Sequence, residues 1–294
     1  MKLSVIIPTK DRPALLVQAV SSALAALDAQ DEVLVVDDRS AAPVAETLSI
    51  TDPRLHIVAS LAPPGASGAR NFGVTQAQGD RILFLDDDDL LLAGYPAWVR
   101  EQTAAYGFSP TLRFSGAEAP AQMPRFDGGA GTPVDSVPAF RHRVAGLGCG
   151  FWIDRAIFQQ VGPIAEDIRI NEDTDFSIRL LRAGLTGLRA PAAGVMVRVH
   201  TVIEGQRGHL THSEKAADRA RYFGMIIARH KDWLEEHPEA AQYLLVRQLK
   251  FLARAGDGPA ARSVLGSALA RKQGLKLRLH YAVQLGLTSL RKGR

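Results

Sequence analysis

The chain has 294 residues, of which 46% are hydrophobic and 22% charged, enough to build the core of one large α/β domain with or without an extension. Its single cysteine, Cys149, excludes an intramolecular disulfide framework and any multi-cysteine zinc site. The net charge of +4 hides an asymmetry, because residues 1–214 hold 19 Lys and Arg against 25 Asp and Glu, while residues 215–294 hold 16 against 6.

The first half alternates between strand and helix patterns. "LSVIIP" (3–8) is a β-branched run stopped by proline, and "RPALLVQAVSSALAAL" (12–27) spaces its apolar residues as a helix does, with Asp11 as the expected N-cap and Pro13 in the first turn. "EVLVVD" (32–37) and "LHIVAS" (55–60) read as the second and third strands. "ASGARNFGVTQAQG" (66–79) suits a helix capped by Ser67 and ended by Gly79, and "RILFLD" (81–86) is the fourth strand. Continuous apolar strands separated by helices indicate a parallel sheet covered on both faces, with ligands expected beyond the carboxyl ends of the strands.

Polar residues gather at those ends: Thr9, Lys10, Asp11 and Arg12 after the first strand, Asp37 to Ser40 after the second, and four consecutive aspartates, Asp86 to Asp89, after the fourth. Adjacent carboxylates repel one another and need counter-charge or water. A hydrated divalent cation supplies it, although acidic surface turns are also common. The stretch 107–145 is rich in Gly, Pro and Ala and predicts irregular structure with short strands. Order resumes in "GFWIDRAIFQQVG" (150–162) and in "EDTDFSIRLLRAG" (172–184), an amphipathic helix ending at Gly184. Glu172, Asp173 and Asp175 open that helix, where acidity suits the helix dipole and a carboxylate in a cleft suits a general base. From about residue 214 the chain reads as wholly helical, with "GDGP" (256–259) as a break.

There is no Walker loop and no GxGxxG after the first strand, so P-loop and dinucleotide-binding readings are poorly supported. The basic stretch 215–294 has little aromatic interleaving, which favours a solvated helical surface over nucleic-acid binding. No apolar run approaches the ~18–20 residues of a membrane span, and "MKLSVIIPT" lacks the pattern of a signal peptide, so a cytoplasmic protein is expected. "GLKLRLHYAVQLGLTSLRKGR" (274–294) could lie on an anionic membrane, pack on the catalytic domain, or form a dimer contact.

Together "SVIIPTKDR", "VLVVDDRS", "GASGARNFGVTQAQGDRILFLDDDD", "CGFWIDRAIFQQVG", "NEDTDFSIRLLRAG" and "VRVH" resemble the family-2 nucleotide-sugar glycosyltransferases over roughly residues 3–205. The resemblance implies a GT-A fold, a Rossmann-like mixed sheet with helices on both faces. It would form a catalytic domain over residues 1–213, followed by a helical extension over 214–294. It implies an inverting transfer from a nucleotide-diphosphate sugar, UDP-linked by expectation, to a glycan, glycolipid or other hydroxyl acceptor in glycoconjugate synthesis. Peripheral contact with the inner membrane face is compatible with such an acceptor.

The resemblance also implies roles for named residues. Thr9, Asp11, Arg12, Asp38, Arg70, Asn71, Asp86 and Asp87 would line the donor nucleotide site. Asp88, Asp86 and His200 would serve Mn2+ or Mg2+, with Asp88 the direct ligand and Asp89 adjacent. Because all four positions are acidic, a register one residue away stays open. Asp173 would be the base, with Glu172 and Asp175 positioning the acceptor or capping the helix. His200 could equally be a satisfied polar residue at a strand end, and His209 and His212 have weaker claims. Cys149 reads as a small core residue. A sugar nucleotidyltransferase and a non-catalytic nucleotide-sugar-binding protein are the alternatives.

Overall fold

A computed structural model describes residues 1–134, 146–200 and 215–292, the last six of these by backbone only. The described residues fall into two compact units, one before and one after the gap at 201–214.

In the first unit, β1 (Leu3–Thr9), β2 (Glu32–Asp37), β3 (Leu55–Ala59) and β4 (Arg81–Leu85) alternate with α1 (Pro13–Ala26), α2 (Val44–Thr47) and α3 (Ala66–Gln76). They are followed by β5 (Leu90–Leu91), α4 (Tyr95–Glu101), β6 (Tyr106–Phe108), β7 (Thr111–Ser115) and β8 (Thr132–Val134). The unit closes with β9 (Cys149–Asp154), α5 (Arg155–Val161), α6 (Glu172–Arg182), β10 (Gly187–Arg189) and β11 (Val195–Val199).

The main sheet has the order β3-β2-β1-β4-β9-β6-β10-β8, and a small sheet has the order β5-β11-β7. Strands β1 to β4 pair in parallel, as their unbroken apolar runs predict. The parallel arrangement ends at β9, which runs antiparallel to both β4 and β6. The sheet is therefore mixed, and the sequence expectation of a wholly parallel sheet holds only for its first four strands.

Alternation along β1 divides the core. Leu3, Val5 and Ile7 join Leu16 and Val20 of α1 on one face. Ile6 joins Ala69 and Val74 of α3, with Phe84 and Phe151, on the other. Helix α3 lies close to the sheet because Gly73 has no side chain: a Cβ there would meet Ile6 Cγ2 at 2.6 Å. With both faces covered, only the strand ends remain for ligands, and the polar residues stand there.

Two expected caps are corrected. The N-cap position of α1 is Arg12, which makes no side-chain cap, with Pro13 at the first helical position, while Asp11 adopts a left-handed φ of 56° outside the helix. Its carboxylate accepts a hydrogen bond from the Ala41 amide at 2.7 Å instead, tying the β1 loop to the β2 loop. Helix α3 starts one residue before Ser67, which lies inside it and is buried, and its N-cap is Gly65 at φ 126°. The Gly65 amide donates to Asp38 Oδ2 at 2.8 Å, so the side chain that anchors this helix start comes from the neighbouring strand end.

The second unit is helical: α7 (Ala216–Arg229), α8 (Lys231–Glu236), α9 (Pro238–Ala255), α10 (Gly258–Gly266), α11 (Ala268–Lys272) and α12 (Leu275–Lys292). Phe223 of α7 stacks on Phe251 of α9 with ring centroids 5.9 Å apart, and Arg219 lies over Phe251. The expected break falls where Gly256 takes φ 74° and Asp257 caps α10 through the Ala260 amide.

Candidate functional site

The four aspartates occupy the turn between β4 and β5. The Asp86 amide donates to the Gly148 carbonyl at 3.0 Å, and the Asp89 amide to the Asp86 carbonyl at 3.2 Å. A Cβ at Gly148 would collide with the Asp86 carboxylate, so a side chain there would force that carboxylate to move. Asp87, Asp88 and Asp89 are buried, and Asp86 is the most accessible of the four, with its side chain 37% exposed.

Each carboxylate has partners from a different part of the chain. Thr9 Oγ1 donates to Asp87 at 2.7 Å, and Arg12 Nη1 reaches both Asp87, at 3.1 Å, and Asp88, at 2.9 Å. Asp88 Oδ2 also stands 2.8 Å from His200 Nε2. Asp89 accepts from the Arg198 amide at 2.9 Å. Arg70 Nη2 donates to Asp86 at 2.5 Å, and its Nη1 lies 3.6 Å from Glu172. Thr9, Arg12, Arg70, Glu172 and His200 thus meet the aspartate turn in one network.

Burial works against the charges here. Burial pushes Asp87 up from the ordinary 3.8 to about 6, and Arg12 and Thr9 only partly oppose it. Asp89 is pushed up further, by burial and then by Asp86 and Asp88. Glu172 is raised by burial and by Asp173, against the pull of Arg70. For Arg70 itself, burial lowers the pKa, but Asp86 and Glu172 outweigh that and hold the guanidinium charged.

A turn that concentrates buried negative charge fits a divalent cation. Asp86, Asp88 and Asp89 offer carboxylate oxygens and His200 an imidazole nitrogen, a donor set suited to Mn2+ or Mg2+. Asp86, Asp89 and Cys149 also place their ligand atoms within 4.8 Å of one another. Burial, and then Asp86 and Asp89, push the Cys149 thiol far up, so it stays protonated and is a poor ligand beside the carboxylates.

The other expected residues stand as follows. Asp38 accepts from the Gly65 amide and from Arg39 Nη1 at 2.9 Å, and its own amide is bonded to the Thr9 carbonyl at 2.9 Å. Asn71 donates through Nδ2 to the Ile164 carbonyl and to Glu166, both at 2.9 Å, and accepts from the Ile164 amide at 2.8 Å. These bonds clamp the 164–166 segment to α3. Asp173 lies in the first turn of α6, where its Oδ1 accepts from the Thr174 amide at 2.6 Å and from Thr174 Oγ1 at 3.2 Å. Asp175 does not cap the helix: it is fully buried and pairs with Arg179 one turn on, at 3.0 Å. The N-cap is Asn171, in a left-handed conformation that asparagine tolerates. His209 and His212 lie outside the described residues.

Sequence reasoning missed Arg198. This buried arginine of β11 gives its amide to Asp89, its Nε to the Asp88 carbonyl at 3.1 Å, its Nη1 to the Gly116 carbonyl and its Nη2 to Gln18 at 2.9 Å. Its guanidinium lies 4.4 Å over the Phe114 ring. It braces the back of the aspartate turn. The available signal was a cationic residue two positions before His200 in a strand otherwise built of Val and Met.

Residues 4–97 match the family described as Glycosyl transferase family 2. Among curated relatives, a GalNAc(5)-diNAcBac-PP-undecaprenol beta-1,3-glucosyltransferase of Campylobacter jejuni is 40% identical over 98 residues, which is 32% of this chain and 31% of that protein. The chain thus spans about a third of that relative's length. Among solved structures, Staphylococcus aureus TarS 1–349 in complex with UDP-GlcNAc superposes with a TM-score of 0.59 at 18% identity, covering 100% of this chain and 93% of that one. GalNAc-T7 with UDP, GalNAc and Mn2+ superposes with a TM-score of 0.62 at 15% identity, covering 96% of this chain and 54% of that one. The fold is GT-A.

Proposed function

We propose, from the match of residues 4–97 to Glycosyl transferase family 2, that the protein moves a sugar from a nucleoside-diphosphate donor to an acceptor hydroxyl, with inversion at the anomeric carbon. The observation that carries this reading is the Arg70 bridge. One buried guanidinium joins the aspartate turn, suited to a cation and a diphosphate, to the Glu172–Asp173 pair, suited to an acceptor.

The residues divide the chemistry between them. Thr9, Asp11, Arg12 and Asp38 stand at the ends of β1 and β2, where carboxylates can accept hydrogen bonds from base N–H and ribose hydroxyl groups. Asp86 and Asp87 extend that site, and Arg70 and Asn71 fix its α3 wall. Asp88, with His200 and Asp86, would hold Mn2+ or Mg2+, which supplies positive charge to the diphosphate when bound. Asp173 takes the proton from the acceptor hydroxyl. The freed oxygen bonds to the anomeric carbon from the face opposite the diphosphate. The sugar–oxygen bond to the diphosphate breaks, and its electron pair leaves with the nucleotide. Burial and then Asp173 raise the pKa of Glu172, so an incoming proton relieves negative charge in the pair.

Residues 1–213 serve as the catalytic domain in this reading and 214–294 as its helical extension. UDP is the favoured nucleotide, and a lipid-linked acceptor would match the undecaprenol-linked acceptor in the name of the Campylobacter relative. A screen of nucleotide sugars by thermal shift with Mn2+ present tests the reading, since a donor that binds only the folded state raises Tm. Transfer must then release free nucleoside diphosphate. Release of pyrophosphate would identify a nucleotidyltransferase, and donor binding without turnover over a broad acceptor panel would identify a binding protein.

A further inference from the structure

Helix α12 is apolar on the side that faces away from its own unit. Leu277 is buried, in a helix that packs along α9. Leu275, Leu279 and Val283 are 68%, 57% and 58% exposed. At 3.6 residues per turn these three and the exposed Ala282 share an arc of about 100°, nearly opposite Leu277 and Gln284. The exposed Lys276 and Arg278 flank that arc, one on each side. Outward apolar residues at this density are not needed to hold the helix in place, because Leu277 already anchors it.

Charge selects the occupant. From residue 258 to residue 294 the sequence has eight Lys and Arg and no Asp or Glu. A second copy of this face would bring Lys276 and Arg278 against their own like, with no acidic residue nearby in sequence to pair them. An anionic lipid surface offers what the face lacks. Acyl chains would receive the leucines, and headgroup phosphates would meet the flanking cations. Among the described residues no helix is long and apolar enough to cross a membrane.

We propose that the Leu275–Leu279–Val283 face of α12, flanked by Lys276 and Arg278, docks the protein peripherally on membranes rich in anionic phospholipid. This inference stands on the second unit alone and does not depend on the glycosyltransferase reading.

The test is flotation of the full-length protein with vesicles of phosphatidylcholine, alone or with about one third phosphatidylglycerol. Co-flotation is expected with the anionic vesicles, weakening as salt is raised. Lys276→Gln with Arg278→Gln should reduce it about 25-fold, roughly fivefold per charge. Leu279→Gln with Val283→Gln should abolish it. All four side chains face solvent, so an unchanged Tm is expected and confirms that the variants fold. Equal binding to neutral vesicles, no binding to either, or unaltered binding by both variants would each overturn the proposal. So would a concentration-dependent dimer that the Leu279 and Val283 substitutions dissociate while vesicles have no effect. Donor-dependent thermal shift, measured in the same samples, reports on the first unit and separates failure of docking from failure of the proposed function.

Discussion

His200 Nε2 stands 2.8 Å from Asp88 Oδ2, which joins the end of β11 to the turn after β4 across 112 residues of chain. An imidazole nitrogen and a carboxylate oxygen so placed are two donors that one divalent cation could hold together, with Asp86 close by in the turn. Replacing His200 by Ala is expected to weaken Mn2+ binding about tenfold or more and to leave Tm in EDTA nearly unchanged. Asp88→Asn should do the same and remove EDTA-sensitive activity. Titration calorimetry with Mn2+ checks both, and unaltered affinity in either variant contradicts the assignment.

Asp173 and Glu172 open α6 side by side, but only Asp173 is proposed to take the acceptor proton. Asp173→Asn is nearly isosteric and can still accept from the Thr174 amide, so the helix start should survive. Transfer should fall by about 100- to 10,000-fold, the range of a lost general base. The donor Kd should stay within about threefold. A parallel loss of donor affinity would move Asp173 out of the acceptor role.

Sequence patterns carried the first four strands, because each is a short and largely apolar run, fully buried in β1, β2 and β4 and partly exposed in β3, and they carried α6 through the buried Phe176, Ile178 and Leu180. The polar residues at strand ends were legible for the same reason, since a strand's end fixes where its next residues lie. The partners that reach the site from far along the chain were not. Arg198 reaches the aspartate turn from β11 and Gly116 meets its side chain after β7, and no local period announces the pairing of these two strands. Side-chain caps also misled. Asp11 and Ser67 have the right chemistry for a cap, but Asp11 is bonded across to another loop and Ser67 lies within α3.

Arg198 offers a stability test of that hidden bracing. Arg198→Met keeps much of the apolar stem over Phe114 but strands the carbonyls of Asp88 and Gly116 and the Gln18 amide oxygen without this donor. The Asp88 carbonyl is buried, and left unpaired it costs about 1–3 kcal/mol, whereas the exposed Gly116 and half-buried Gln18 can turn to water, so a loss of about 1–3 kcal/mol is expected in urea unfolding. Mn2+ affinity should fall with it, since the Asp88 carbonyl rests on this side chain. A variant as stable as the parent would show that the bonds contribute little.

Buried carboxylates at the site also set the sign of the pH dependence. Burial raises Asp87 from 3.8 to about 6, and Glu172 moves upward from its ordinary 4.5 through burial and Asp173. A group whose pKa is higher folded than unfolded binds more protons in the folded state, so its stabilisation is complete below the unfolded value and is lost as pH rises through the folded one. For Asp87 that difference is about 3 kcal/mol, lost between roughly pH 4 and 6. The metal-free protein should therefore unfold at lower urea as pH is raised across this interval and beyond. Glu172→Gln should flatten the upper part of the slope, because its amide has no proton to lose. Mn2+ favours the ionised aspartates, so its stabilising effect should be larger at pH 8 than at pH 5. Urea midpoints taken at both pH values, with EDTA or with Mn2+, decide the matter. Stability rising with pH in EDTA, or an equal Mn2+ effect at both, would mean that solvent already satisfies these carboxylates and that their burial imposes no penalty for a cation to relieve.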